Sequence, residues 1–151
     1  MKTTVKKNIA FIGFHQSLVT LLTNMISKGY PVLVTDKHIS EELLLLQQTL
    51  LVKYPAANLG LSTCSKECAW ESDILVMSVD LLSLQDICIN IKNVITGKIM
   101  LTCQDQQYYE KLKELFPHSK VVWVNKKDII SEHAVAVEKT AALFNDSQYL
   151  I

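Results

Sequence analysis

Short apolar segments alternate with amphipathic ones along nearly the whole chain, and this alternation limits the folds that the sequence can adopt. The apolar segments are rich in Ile, Val and Leu and end at turn-forming or charged residues. Their hydrophobicity is continuous, which is typical of parallel strands covered on both faces. The predicted strands are Asn8–Gly13, Pro31–Asp36, Asp73–Val79, Lys98–Cys103 and Lys120–Asn125, with a weaker one at Asn58–Ser62.

Helical patterns lie between these strands. The first is an apolar stripe from Leu18 to Ile26, and Gly29 follows it as a C-terminal cap. Ser83, with Asp86 three residues later, resembles a capping box. Further helices are predicted to begin near Ser40, Tyr108 and Ser131, and a short one lies around Cys64 and Cys68.

Strands that alternate with helices of this length predict right-handed βαβ units and an α/β fold. Six strands in two halves match a Rossmann-like doubly wound parallel sheet with strand order 3-2-1-4-5-6. We expect residues 1–151 to form a single domain of this kind, because no linker or repeat interrupts the pattern. A ligand is expected at the carboxyl ends of strands one and four, where the winding direction reverses.

Composition narrows the classes of partner. The chain is 49% hydrophobic and 20% charged, with 15 basic and 15 acidic residues, which is typical of a globular domain and not of a disordered one. A formal net charge of zero gives no electrostatic signature of nucleic acid or of an acidic membrane. No residue is arginine, so bidentate guanidinium recognition of phosphate is excluded.

No apolar run approaches the roughly 20 residues that cross a bilayer, and the basic N-terminus lacks the apolar region of a signal peptide. A cytoplasmic location is therefore expected. The 4 cysteines are too few for a disulfide scaffold. Cys64 and Cys68 form a C-x3-C pair, but no nearby histidine completes a metal site, so reduced thiols are expected.

The connection from the first strand to the first helix carries one part of a dinucleotide fingerprint. The pattern G-x-G-x-x-G requires glycine at positions 13, 15 and 18, where the chain has Gly13, His15 and Leu18. Asp36 ends the second strand at about the offset of a ribose-binding acid. His15 would crowd the pyrophosphate, and Leu18 would either push the helix outward or fill a gap in the core.

Several segments resemble the NADP-binding domain of deazaflavin-dependent NADP reductases, a domain type also found in pyrroline-5-carboxylate reductases. The similarity extends over residues 8–145, with the glycine motif degenerate. The segments that carry it are Ile9–Gly13, Val32–Asp36, Ser72–Asp80, Gly97–Thr102 and Leu115–Asn125.

This resemblance implies a cofactor, NAD or NADP, and a set of binding residues. Asp36 would repel a 2′-phosphate and favours NAD, whereas the family name favours NADP, so the cofactor choice stays open. It is also open whether the nucleotide has been lost. The residues implied are Gly13, Phe14, His15, Gln16 and Ser17 for the pyrophosphate, Asp36, Lys37 and His38 for the adenosine ribose, and Ser78, Val79 and Asp80 for the far side.

Two functions are compatible with the residues. The first is a stand-alone NAD(P)-binding module, resembling an oxidoreductase without a separate catalytic domain; no catalytic residue is identified, and whether the chain is an enzyme is left undecided. The second is a non-catalytic degenerate Rossmann domain that acts in protein interaction or regulation. A dinucleotide or another phosphate-bearing small molecule and a second copy of the chain are the candidate partners.

Overall fold

The computed structural model describes residues 7–124. These residues form a six-stranded, entirely parallel sheet in the order β3-β2-β1-β4-β5-β6, with helices on both faces. The predicted fold class and strand order are confirmed. The strands are β1 Ile9–Ile12, β2 Val32–Thr35, β3 Leu59–Ser62, β4 Ile74–Met77, β5 Ile99–Thr102 and β6 Lys120–Trp123. The helices are α1 Val19–Ser27, α2 Glu41–Lys53, α3 Ser65–Glu71, α4 Leu84–Ile91 and α5 Gln106–Leu115.

The central strands are buried on both sides, which explains their uninterrupted hydrophobicity. In β1, Ile9 and Phe11 belong to one apolar cluster, and Ala10 and Ile12 belong to another on the opposite face. Residues from α1 and α2 join the first cluster, and residues from α3, α4 and α5 join the second. The two halves of the sheet meet where β1 pairs with both β2 and β4.

The ends of the helices follow local sequence signals, with one exception. Ser40 caps α2 by accepting a hydrogen bond from the Leu43 N–H at 3.1 Å, and Gly29, at φ +85°, ends α1 as predicted. The capping box predicted at Ser83 is wrong, because the Ser83 side chain makes no capping hydrogen bond. A 3-10 turn at Leu81–Ser83 precedes α4, so the chain is already helical before Ser83 is reached.

Other boundaries differ by a few residues. The helix predicted from Tyr108 begins at Gln106, because Asp105 accepts from the Tyr108 N–H at 3.0 Å and acts as the N-cap. The sixth strand ends at Trp123. Asn125 and the helix predicted from Ser131 lie outside the described residues, so the single-domain prediction for residues 1–151 stays a prediction.

Candidate functional site

Three strand ends meet at Gly13. Its N–H donates to the Thr35 carbonyl at 2.8 Å, and the Ser78 hydroxyl donates to the Gly13 carbonyl at 2.6 Å. Gly13 has φ +81°, and a Cβ added there would lie 2.7 Å from Val79 Cγ1 and 2.8 Å from the Val79 nitrogen. Only glycine fits this position, because both the backbone conformation and the close approach of Val79, just after β4, exclude a side chain.

The second fingerprint position carries a side chain that binds its own turn. His15 Nδ1 accepts a hydrogen bond from the Ser17 N–H at 3.1 Å and lies 2.9 Å from Ser17 Oγ. Accepting this bond requires Nδ1 to be unprotonated. In a complete fingerprint, such a backbone donor faces the pyrophosphate. The imidazole therefore accepts from the Ser17 N–H, a donor that would otherwise be available to a phosphate.

The third fingerprint position is part of the core. Leu18 is buried with 1% of its surface exposed, and it belongs to the same apolar cluster as Phe11 and Leu22. Leu18 was predicted either to push the helix outward or to fill a gap in the core, and the structure shows that it fills the core. Phe14 also faces this cluster, with its ring centroid 6.2 Å from that of Phe11.

The predicted ribose residues follow β2. Asp36 Oδ1 accepts from the Lys37 N–H at 2.8 Å, so one carboxylate oxygen stabilises its own turn. The Lys37 ammonium extends toward the β4–α4 connection, where it lies 3.5 Å from Ser83 Oγ. His38 is exposed. The Lys37 side chain thus reaches across the carboxyl edge of the sheet, a contact that the sequence did not suggest.

A cavity of about 470 Å³ joins the turn after β1 to Asp36 and α2. Four of the predicted residues line it: Phe14, His15, Gln16 and Asp36. The other seven predicted residues do not line it: Gly13, Ser17, Lys37, His38, Ser78, Val79 and Asp80. Ser78 is engaged with the Gly13 carbonyl. Most of the remaining wall comes from α2, including Leu43, Leu46 and Thr49, which sequence reasoning did not assign to a site. The sequence signal that could have indicated this apolar wall is the run of leucines at 43–46.

Tyr108 is a second feature that sequence reasoning missed. It is buried, and within the described part of the chain its hydroxyl has no hydrogen-bond partner. Burial raises the pKa of this phenol, and the nearby Cys103 and Asp80 raise the pKa further. These groups follow the carboxyl ends of β4 and β5, so an unsatisfied donor lies beneath the same edge of the sheet.

Replacing Tyr108 by phenylalanine should leave the free energy of unfolding unchanged or raise it by up to about 1 kcal/mol, because an unsatisfied buried hydroxyl is removed. Above the usual tyrosine pKa of 10.0, the unfolded phenol loses its proton before the folded one does, so wild-type stability falls as pH rises. Urea unfolding between pH 8 and about 11 should show a shallower fall for the variant. A loss of several kcal/mol at neutral pH would contradict this account.

The described residues offer no other evident chemistry. Within residues 7–124, no group of three or more His, Cys, Asp or Glu side chains could hold a metal ion. All four cysteines are free thiols. None of the described helices is long and apolar enough to cross a membrane.

Comparisons with known proteins place this geometry in context. Neither protein-family models nor curated proteins match the chain. A candidate F420-dependent NADP reductase from Arthrobacter sp. FB24 is similar in structure, with a TM-score of 0.64 and 16% identity over 91% of this chain and 79% of that one. The chain has a Rossmann fold. The resemblance to deazaflavin-dependent NADP reductases is confirmed as a likeness of fold.

Two larger proteins share the same architecture. Lactate dehydrogenase from Eimeria maxima, solved with NADH and oxamate, has a TM-score of 0.63 and 10% identity over 82% of this chain. Reductive aminase from Aspergillus terreus, solved with NADPH4, cyclohexanone and allyl amine, has a TM-score of 0.57 and 12% identity over 79% of this chain. The chain spans 45% and 40% of these two proteins.

Proposed function

We propose that the chain is a stand-alone NAD(P)-binding Rossmann module of the oxidoreductase type. The observation that carries this proposal is the cavity that joins residues 14–16, directly after Gly13, to Asp36. The pyrophosphate would lie over residues 13–17, and the free oxygen of Asp36 would accept from a ribose hydroxyl. The dinucleotide complexes of the structurally similar proteins support this assignment.

The preferred cofactor is NAD rather than NADP. The Asp36 carboxylate would lie next to a 2′-phosphate and repel it. Lys37 offers a single ammonium without the fork of an arginine, and that ammonium extends toward Ser83.

Calorimetric titration of the protein with NADH and with NADPH tests both the dinucleotide-binding proposal and the preference for NAD. We expect saturable binding of NADH at submillimolar concentration and weaker binding of NADPH. Asp36→Ala should weaken NADH binding by about 10-fold or more, because a hydrogen bond to a charged group is lost. Asp86→Ala, an exposed carboxylate on α4, is the matched control. If neither dinucleotide binds at millimolar concentration, the proposal is wrong.

His15→Gly should tighten NADH binding by about fivefold, since removal of the imidazole leaves the Ser17 N–H free for phosphate and one hydrogen bond is gained. His118→Ala, an exposed histidine before β6, serves as the control in the same calorimetric titration. Weaker binding by the glycine variant would instead mean that the imidazole itself contacts the phosphate.

The second candidate function is a degenerate Rossmann module that binds protein rather than nucleotide. The specific observation in its favour is the hydrogen bond between Ser17 N–H and His15 Nδ1, which satisfies the phosphate-binding donor internally. An absence of dinucleotide binding in both wild type and His15→Gly would favour this function.

A further inference from the structure

Helix α2 is apolar on two opposite sides. Toward the sheet, Leu43 and Leu50 are buried in the core. On the solvent side, Leu45 is 64% exposed and Val52 is 81% exposed, with Leu44 beside them at 42%. A solvent-facing helix surface of a monomer is normally polar, so this second apolar side marks a contact surface.

The exposed side forms a continuous stripe, which we call the α2 outer stripe: Leu44, Leu45, Gln48 and Val52. Leu45, Gln48 and Val52 are spaced by three and four residues, the spacing that aligns side chains along one side of a helix that packs against another helix. The stripe lies opposite Leu43 and Leu50 on the helical circumference, so core packing leaves it uncovered.

We propose that the α2 outer stripe binds the same stripe of a second copy of this chain, with the two helices antiparallel about a twofold axis near Gln48. In this arrangement Leu45 contacts the other copy's Val52, and the reciprocal contact forms by symmetry. The stripe is therefore complementary to itself.

The charges of α2 favour this partner and orientation. Glu41 and Glu42 lie in the first turn, and Lys53 lies in the last. Antiparallel pairing brings Lys53 of each copy within about one helical turn of the other copy's acidic first turn, and it opposes the two helix dipoles. An anionic membrane surface fits less well, because two carboxylates and one ammonium flank the apolar stripe.

The dimer would also complete the cavity. Leu45 and Thr49 line the cavity together with Phe14, His15 and Asp36, and Leu45 belongs to the α2 outer stripe. A second α2 placed on that stripe would form an outer wall at the cavity's mouth. Dimerisation stands independently of dinucleotide binding, because it is carried by the stripe and by the charges of α2 alone.

Sedimentation equilibrium of the full chain tests the proposal. We expect wild type to form a species of twice 17.1 kDa. Leu45→Lys and Val52→Glu should each raise the dimer dissociation constant by about 30-fold or more, because each places a charge in the apolar contact between Leu45 and the other copy's Val52. Leu82→Lys and Ile89→Lys, at the exposed apolar residues preceding and within α4, are matched controls that should remain dimeric.

Mixing the two α2 variants provides the decisive measurement. Lys at position 45 of one chain would face Glu at position 52 of the other, so two monomeric variants should together form a heterodimer. Circular dichroism on each variant establishes that it is folded. A wild type that stays at 17.1 kDa at submillimolar concentration would overturn the proposal, as would a dimer that neither α2 substitution weakens. NADH titration of the Val52→Glu variant separates this result from the fate of the dinucleotide proposal, because Val52 does not line the cavity.

Discussion

Gly13→Ala is expected to lower the free energy of unfolding by about 4 kcal/mol. The new Cβ requires a backbone conformation that costs an L-residue about 1–2 kcal/mol, and it lies 2.8 Å from the Val79 nitrogen, in the backbone that follows β4. Separating β1 from β4 would also strain the 2.6 Å bond from Ser78 Oγ to the Gly13 carbonyl. Urea unfolding, monitored by circular dichroism, measures this change in the free energy of unfolding.

Gly29→Ala is the matched control for this prediction. Gly29 also has positive φ, at +85°, but it is exposed at the end of α1. Only the conformational cost of about 1–2 kcal/mol remains there. Equal destabilisation by the two variants would show that the close approach of Val79 contributes nothing.

Leu18→Gly should also destabilise the protein by about 4 kcal/mol, even though it restores a fingerprint residue. The substitution removes a side chain that is 1% exposed from the core beneath α1, and it leaves a cavity. Glycine adds the cost of extra backbone freedom in the unfolded chain. Leu18→Ala, measured by the same urea titration, separates the cavity from the backbone contribution.

His15→Gly provides the contrast within the same motif. It removes an exposed side chain and one local hydrogen bond to Ser17, so we expect a loss of about 1 kcal/mol or less. The replacement of the second fingerprint glycine by His15 is then a local change. Leu18, at the third fingerprint position, is part of the core. Loss of less than 1 kcal/mol on Leu18→Gly would contradict this distinction.

The strands were predictable because each is a short apolar run, as a parallel sheet covered on both faces requires. Their order was predictable because helices alternate with them, which gives right-handed βαβ units in two halves. The positions of Gly13 and Asp36 at strand ends followed directly from those runs. Helix starts were less certain where two signals compete: Ser83 offers a capping box, but the 3-10 turn at Leu81–Ser83 begins the helical path earlier.

The walls of the cavity were not predictable in the same way. Four consecutive leucines at 43–46 suit any rotation of α2, so the sequence does not say which of them face the core and which face solvent. The bond from the Ser17 N–H to His15 and the reach of Lys37 toward Ser83 depend on side-chain rotamers, which residue spacing does not determine.

The pairing of β1 with β4 has a consequence during synthesis, because β1 emerges from the ribosome well before β4. Asn8 and Asp73, joined by a 3.0 Å hydrogen bond at the start of these strands, are separated by 65 positions in the sequence. At typical elongation rates of about 5–20 residues per second, this edge of β1 waits roughly 3–13 s for its neighbour. During that interval the nascent chain exposes one unpaired edge of an apolar strand, the kind of segment on which chaperones act.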